Sequence, residues 1–291
     1  MNMIYQAAKQ YQAASRGQHI DLPKGDLAGQ IGAMELKAAW LTVAEPNDSK
    51  WTHYKLAQAE FCSTTGCTPS TVALIGLHII HKTAAQPSWI WATFEHVDNA
   101  PDIAQVNNGA VADTYNFYSN TCQESTIPPT CVDGKADQKT SCVANTPPAY
   151  ALQLVDGKAT GICQPYPIQV VREYPIADTN ENPVQAVNQA AQSLIQAANP
   201  DSVYQYYQLV NVLWIDSAVD ENKAHALPIN ALSKSAFRPN PNAFPVANTT
   251  METYIQSTTC IACHSGAQIA NPEQAAPEYA SDYSFVFGMA K

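Results

Sequence analysis

Residues 260 to 264 constrain this chain more than any other part of its sequence. They read Cys-Ile-Ala-Cys-His, which is the C-x-x-C-H pattern of covalent c-type haem attachment. Two thiols at this spacing on a turn of helix can reach the two vinyl groups along one edge of a porphyrin, and the adjacent imidazole can then ligate the iron. The sequence therefore predicts one covalent haem c, attached through Cys260 and Cys263, with His264 as the iron ligand.

Two other interpretations of this pattern are weaker. A C-x-x-C pair can be a redox-active dithiol, but that motif is expected in a βαβ context, which is missing around residue 260. The pair can also be half of a zinc site, but neither a second C-x-x-C nor a suitably spaced histidine pair follows it. The histidine directly after the second cysteine favours haem over both.

The other six cysteines predict disulfides. They are even in number and lie in polar, loop-like sequence, which indicates an oxidising compartment, whereas free buried thiols are the alternative. Sequence alone does not choose among the connectivities. The most local pairing would join Cys62 with Cys67, Cys122 with Cys131, and Cys142 with Cys163.

Charge and hydropathy exclude several classes of protein. A formal net charge of −10 argues against a nucleic-acid partner, because nothing would replace the counterions along a phosphate backbone. No segment reaches the roughly 18 apolar residues of a membrane span. Residues 1–16 are amphipathic and lack the apolar core of a signal peptide. Because c-type haem is attached outside the cytoplasm, we expect a soluble periplasmic or extracellular protein whose export signal has been removed.

Hydrophobic periodicity predicts an antiparallel sheet in the N-terminal part. Residues 32–43 alternate, with Met34, Leu36 and Trp40 on one face, as in a half-buried strand. Residues 71–81 form a continuous apolar run typical of a buried strand. Two further strands are expected at 51–61 and 88–96.

The rest of the chain is predicted to be a loop-rich excursion followed by helices. Residues 102 to about 165 are dense in Asn, Thr, Pro, Gly and Cys, which indicates an excursion held together by disulfides. Helices are expected at 184–198 and 202–215, and a short one at 250–256 leads into the haem motif. The fold class is thus α+β, with a mainly β domain at 1–180 and a helical part carrying the haem segment at 181–291.

The side of the haem opposite His264 is expected to come from upstream residues, since Met289 is the sole sulfur after the motif. The weak candidates for a distal ligand or a catalytic group are His78, His81, Glu95 and His96, with His225 and Met251 less favoured. His78 and His81 would face opposite sides of a strand, so only one could meet the iron. The group from Glu95 to Asp98 could move protons to a haem-bound oxygen species, or could simply cap a strand end.

Several runs of this sequence resemble a group of uncharacterised bacterial monohaem cytochrome c family proteins. The resemblance implies an exported monohaem protein, and it assigns a defined role only to Cys260, Cys263 and His264. It spans most of the chain outside the Cys-rich excursion. The runs are residues 32–40, 76–83, 89–99, 250–256 with 260–264, and 281–287.

Three functions follow from these observations. The leading one is electron transfer by a single haem to or from a redox partner protein. The long region before the motif exceeds what a small carrier needs, so a haem c enzyme of peroxidase or oxygenase type is the first alternative. Such an enzyme would act on a small-molecule substrate at an open distal site. A haem-bearing binding or assembly protein is the second alternative.

Overall fold

The computed structural model describes most of the chain outside the Cys-rich excursion. The described residues are 2–14, 20–26, 28–63, 66–111, 115–122, 130–132, 135–137, 142–146, 153–155, 158–160, 169–180, 182–214, 245–264, 267 and 281–289. The helices are α1 (Asn2–Ala14), α2 (Ile103–Asn107), α3 (Val184–Ala198), α4 (Cys260–His264) and α5 (Val286–Met289), with 3₁₀-helices at Ser49–His53 and Val203–Tyr206. The strands are β1 (Met34–Val43), β2 (Leu56–Ser63), β3 (Gly66–His81), β4 (Ile90–His96), β5 (Thr130–Val132), β6 (Lys135–Asp137), β7 (Gln153–Val155), β8 (Lys158–Thr160) and β9 (Tyr207–Leu213).

The 16-residue strand β3 is the centre of a seven-stranded sheet. It pairs with β1 along one edge, while β2 and β4 pair with successive stretches of its other edge. β9 pairs with β4, and β8 of the β7–β8 hairpin meets β2 through one parallel pair. Every other ladder in this sheet is antiparallel, which confirms the antiparallel sheet predicted for the N-terminal part.

One face of the sheet, here called the inner face, carries the C-terminal part of the described chain. Residues directly opposite each other in a ladder share a face, so Lys37, His78 and Thr93 lie side by side across β1, β3 and β4. Residues 245–264 pack against this face, where Asn248 donates a hydrogen bond to Thr93 over 3.0 Å. Gly76 permits this approach, because a Cβ at that position would collide with the Thr250 hydroxyl. The inner face comprises Glu35, Lys37, Ala39, Gly76, His78, Ile80, Trp91, Thr93 and Glu95.

Strand β1 confirms the predicted strand, but its apolar residues Met34, Leu36 and Trp40 lie on the exposed face, opposite the inner face. Met34 is 51% exposed and Leu36 is 65% exposed. Glu35, in contrast, is on the inner face, where burial raises the pKa of its carboxyl group. The alternation predicts a strand without saying which face is covered, and that is decided by the segment that packs against it.

Two predicted helices were wrong. Residues 203–206 form a 3₁₀-turn and Tyr207–Leu213 form β9, because the free edge of β4 offers this Val- and Tyr-rich segment a strand partner. Residues 249–258 contain turns in place of the short helix expected at 250–256. The helix expected at 184–198 is confirmed as α3.

Two disulfides are present among the described residues. Cys62 and Cys67 are register partners across the β2–β3 hairpin and are bonded, as the most local pairing anticipated. Cys122 bonds to Cys142, so the local pairings of these two cysteines with Cys131 and Cys163 were wrong. Cys163 lies outside the described residues. None of the described helices is long and apolar enough to cross a membrane.

Candidate functional site

The Cys-Ile-Ala-Cys-His motif forms the short helix α4, which is anchored on the inner face. Ile261, between the two cysteines, is buried in a cluster with Ile80, Trp89, Trp91, Leu213 and Val246, and Cys260 packs against that cluster. The hydroxyl of Thr259 accepts a hydrogen bond from the backbone N–H of Ala262 at the start of the helix. The anchored turn leaves Cys263 exposed and Cys260 partly buried.

The imidazole of His264 is held by a hydrogen bond to a backbone carbonyl. Its Nδ1 lies 2.8 Å from the carbonyl oxygen of Tyr283. Because a carbonyl can only accept, Nδ1 carries the proton and Nε2 keeps its lone pair. Burial lowers the pKa of His264, which favours the neutral imidazole.

Aromatic side chains hold the imidazole ring of His264 from two directions. Its centroid lies 4.8 Å from that of Trp91 and 5.0 Å from that of Phe285, both in edge-to-face geometry. Among the described residues, the hydrogen bond of this ring is the one that Nδ1 makes. The ring is therefore fixed through one nitrogen, and these residues leave the lone pair of Nε2 unused.

Cys260 does not have the properties of the nucleophilic thiol of a redox-active dithiol. Cys260 and Cys263 are free thiols, and burial raises the pKa of Cys260 to about 12. A redox-active dithiol needs a thiol whose pKa is lowered, because the thiolate is the nucleophile.

The same residues do not form a compact metal-ion site. Among the described residues, the group of donor atoms close enough together for a metal ion is Glu60, Cys62 and Cys67, and its two sulfurs already bond to each other. The sulfurs of Cys260 and Cys263 and the imidazole of His264 do not converge in this way. A zinc ion requires donor atoms that converge on one point, whereas a porphyrin takes such groups at its edge and at its centre.

His78 is the upstream candidate that shares the inner face with the motif. It is buried, and its Nε2 lies 3.4 Å from the carboxylate of Glu252. Glu252 also accepts a hydrogen bond from the backbone of Asn248, and Lys37 lies 4.0 Å away. Although burial opposes its ionisation, His78 and these other neighbours together lower the pKa of Glu252.

His81 lies on the opposite face of β3 from His78, as their spacing predicts. The two histidines are therefore not brought together. His225 lies outside the described residues.

Glu95 is on the inner face but is fully engaged by structural partners. It is completely buried and pairs with the guanidinium of Arg172. Its other oxygen accepts hydrogen bonds from the backbone N–H and the hydroxyl of Thr249, at 3.0 and 2.7 Å. These contacts tie β4 to the segment that leads into α4.

His96 is a core histidine with both ring nitrogens occupied. Nδ1 accepts from the backbone N–H of Asp98 at 3.2 Å, so Nε2 donates to the carbonyl of His53 at 3.1 Å. The ring stacks on Tyr54 with centroids 3.7 Å apart. Burial lowers its pKa to about 4. These contacts give His96 a packing role and leave neither nitrogen free for a ligand.

A polar cleft of about 340 Å³ lies beside α3 and does not include the haem motif. Its lining is rich in amides, and several of these already bond to the backbone. Asn188 bonds both the N–H and the carbonyl of Leu209, and Gln192 donates to the carbonyl of Tyr207. These amides bond the exposed backbone edge of β9, so their presence in the cleft is explained by a structural role.

Sequence reasoning did not assign a role at this site to Tyr283, Trp91 or Phe285. Trp91 is buried and contacts His264. Tyr283 contributes its backbone carbonyl. Every residue has such a group, so the type of amino acid at this position does not indicate the role. The available hint was the resemblance, which includes residues 281–287.

Comparisons of the chain with known protein families, with curated proteins and with solved structures found no match.

Proposed function

We propose that this chain is an exported monohaem c-type cytochrome that transfers electrons, with its haem held by Cys260, Cys263 and His264. The observation that carries the proposal is the state of His264, whose Nδ1 donates to the Tyr283 carbonyl, while Nε2 keeps its lone pair and has no hydrogen-bond partner among the described residues. A histidine that ligates a metal almost always donates its other N–H to such an acceptor. Two free thiols lie on the same short helix.

Each residue has a defined task in this proposal. Cys260 and Cys263 would hold the porphyrin through thioether bonds, and His264 would ligate its iron through Nε2. Ile261 anchors the helix in the core, and Trp91 and Phe285 fix the imidazole plane. When bound, the haem supplies a one-electron iron couple, whose potential depends on its ligands, hydrogen bonds and burial. The two disulfides support a location outside the cytoplasm.

Covalent haem attachment is the first test. The chain is to be produced with an export signal in a bacterium that has a c-type haem maturation system. We expect a mass increase of one haem and a haem c absorption spectrum that survives denaturation. A wild-type chain that matures without haem contradicts the proposal.

Matched cysteine pairs make this test specific. Cys260→Ser with Cys263→Ser should abolish covalent haem. Cys62→Ser with Cys67→Ser removes a disulfide elsewhere in the chain and should retain it. Loss of haem from both double variants would point to misfolding rather than to attachment.

The optical spectrum in the presence of carbon monoxide separates a carrier from an enzyme. A six-coordinate low-spin haem that does not bind carbon monoxide supports electron transfer. A high-spin haem that binds it readily would contradict the carrier and indicate an open distal site.

His78 and His81 form a matched pair for locating the second ligand. Because His78 shares the inner face with the motif, we expect His78→Ala to change the spin state, while His81→Ala leaves it unchanged. An unchanged spectrum in both variants would exclude both histidines as ligands.

A further inference from the structure

The carbonyl that orients His264 belongs to a turn of unfavourable backbone conformation. Asp282 and Tyr283 have φ angles of 52° and 65°, in the left-handed region that residues with a side chain seldom occupy. Two consecutive residues persist there only when the surrounding structure determines their conformation. The question is therefore what holds this turn.

A buried polar cluster holds it through the side chain of Asp282. One carboxylate oxygen accepts from Lys82 Nζ at 2.8 Å and from the backbone N–H of Leu22 at 2.8 Å. The other oxygen accepts from Trp89 Nε1 at 3.1 Å. Both ends of the Lys82–Asp282 pair are almost completely buried. A second carboxylate, Asp21, also pairs with Lys82 but is 65% exposed.

The donors of this cluster are fixed on the sheet and on the N-terminal segment. Lys82 directly follows β3, and its backbone N–H bonds to the carbonyl of Ala33 just before β1. Trp89 directly precedes β4, is 1% exposed, and itself has a positive φ of 72°. The turn therefore receives its position from the sheet, although it lies about 200 residues further along the chain.

We propose that Lys82 and Trp89 are positioning residues for the haem ligand. They hold Asp282, and through it the turn at residues 281–284. The Tyr283 carbonyl is thereby placed to accept a hydrogen bond from the Nδ1–H of His264. The role as haem ligand rests on the proposed function, whereas the selection of the His264 tautomer does not.

An acceptor fixed on Nδ1 has a defined effect on the ligand. It increases the basicity of the imidazole toward a metal and fixes the plane of the ring. A turn that is no longer held would weaken this hydrogen bond, which would make His264 a poorer donor and raise the reduction potential of the haem. Removal of the positive charge of Lys82, taken alone, would instead lower that potential. Loss of positioning and loss of charge therefore predict changes of opposite sign in the reduction potential of the Lys82→Met variant.

The tautomer can be measured without haem. The full-length chain, labelled with ¹⁵N-histidine and produced without haem maturation, is to be studied by long-range ¹H–¹⁵N NMR. We expect His264 to be protonated on Nδ1 and His96 on Nε2, so the two histidines should show opposite patterns in one spectrum. Lys82→Met and Asp282→Asn should shift His264 toward the Nε2-protonated form usual in solution.

Two controls separate positioning from general loss of structure. Asp21→Asn alters the exposed partner of the same lysine and should leave the His264 tautomer unchanged. The His96 pattern should persist in every variant and serves as the check on folding. A wild-type His264 protonated on Nε2, or a folded Lys82→Met variant with the wild-type tautomer, would overturn the proposal.

The haem-loaded protein provides the second readout, and it decides the question if the chain without haem does not fold. Lys82→Met should raise the reduction potential and accelerate hydrogen exchange at the Nδ1–H of His264 in the reduced protein, with Asp21→Asn again unchanged. A lowered potential with unchanged exchange would leave only the charge effect and refute positioning. Failure to attach haem would contradict the proposed function, while the tautomer measurement would still test the positioning network.

Discussion

At the scale of single residues, hydrogen bonds give two histidines, the partly buried His264 and the buried His96, opposite protonation patterns. His264 donates through Nδ1 to a carbonyl and keeps Nε2 free among the described residues. His96 accepts at Nδ1 and donates at Nε2, and so has no nitrogen left for a ligand. In the sequence, the C-x-x-C-H motif sets His264 apart from His96. Which nitrogen of each ring carries the proton is decided by the backbone groups that the fold brings to it.

His96 should make stability depend on pH. Its folded pKa of about 4 lies below the ordinary value of 6.5, so the unfolded chain binds the extra proton between these values. The contribution of neutral His96 to stability is therefore fully present above about pH 6.5 and is lost as the pH falls toward 4. The maximum loss is roughly 3 kcal/mol, at about 1.4 kcal/mol per pKa unit. Urea unfolding at several pH values measures it.

His96→Phe is the matched variant for this effect. It keeps an aromatic ring on Tyr54 but cannot titrate. We expect it to be less stable at pH 7 and to lose less free energy of unfolding between pH 7 and pH 4 than the wild type. An equal loss in the two proteins would mean that other groups produce the pH dependence.

The Glu95–Arg172 pair should be costly to break from one side. Arg172 also pairs with Asp102 over 2.8 Å, but Glu95 is completely buried. Arg172→Met leaves the buried carboxylate of Glu95 without its ion-pair partner and should reduce the free energy of unfolding by about 3–5 kcal/mol. Glu95→Gln leaves Arg172 paired with Asp102 and should cost less. The double variant removes both charges of the pair. Its loss of unfolding free energy should therefore be well below the sum of the two single-variant losses. Additive losses, measured by urea unfolding, would contradict a direct coupling.

At the scale of elements, the placement of β9 depends on helix α3. The side chain of Asn188 donates to the carbonyl of Leu209 at 2.7 Å and accepts from its N–H at 2.7 Å. Leu209 is already the register partner of Phe94 in the ladder with β4. The buried amide of Asn188 therefore supplies the hydrogen bonds that a further strand would otherwise make to Leu209.

Asn188→Ala should destabilise the protein by about 1–3 kcal/mol, because two backbone groups of Leu209 lose their partners. Gln196→Ala, an exposed amide on the same helix, should change stability by less than about 0.5 kcal/mol. Hydrogen exchange of the Leu209 amide should accelerate in the first variant only. Unchanged exchange at Leu209 would show that Asn188 does not support the strand.

At the scale of the whole molecule, distant parts of the chain meet beside the haem motif. Ile20, Ala8 of α1 and Phe287 of α5 form one small buried cluster. Leu22 then donates to Asp282, in the turn that precedes α5. The N-terminal segment therefore stabilises the same C-terminal turn that orients His264.

Phe287→Ala and Phe285→Ala test this arrangement as a matched pair. Phe287 is 4% exposed and should lose about 3–5 kcal/mol of unfolding free energy on truncation. Phe285 is 40% exposed and should lose less than about 1.5 kcal/mol, since less surface leaves water. Thermal or urea unfolding measures both. Similar losses would mean that the contact between α1 and α5 contributes little.

Features encoded within a short stretch were determined by the sequence itself. The spacing of Cys260, Cys263 and His264 gave the candidate attachment site, and alternation or apolar runs predicted β1, β3 and β4. Helix α3 was predicted with its observed bounds, because Pro183 and Pro200 lie on either side of a helical apolar pattern. These signals are local, so no knowledge of distant partners was needed.

Features that depend on a distant partner were decided by the tertiary structure alone. β9 is a strand because β4 has a free edge. Glu35 of β1 is partly buried while Leu36 is exposed, because Asp282 and Ser284 lie close to Glu35 on the inner face. Cys122 bonds to Cys142 because the fold brings them together. His264 received its acceptor from Tyr283, held through Lys82 and Trp89 far away in the chain. Hydrogen bonds and burial depend on which groups are close in space, and separation along the sequence does not reveal this. The hydrogen-bonding pattern of each histidine follows from such contacts.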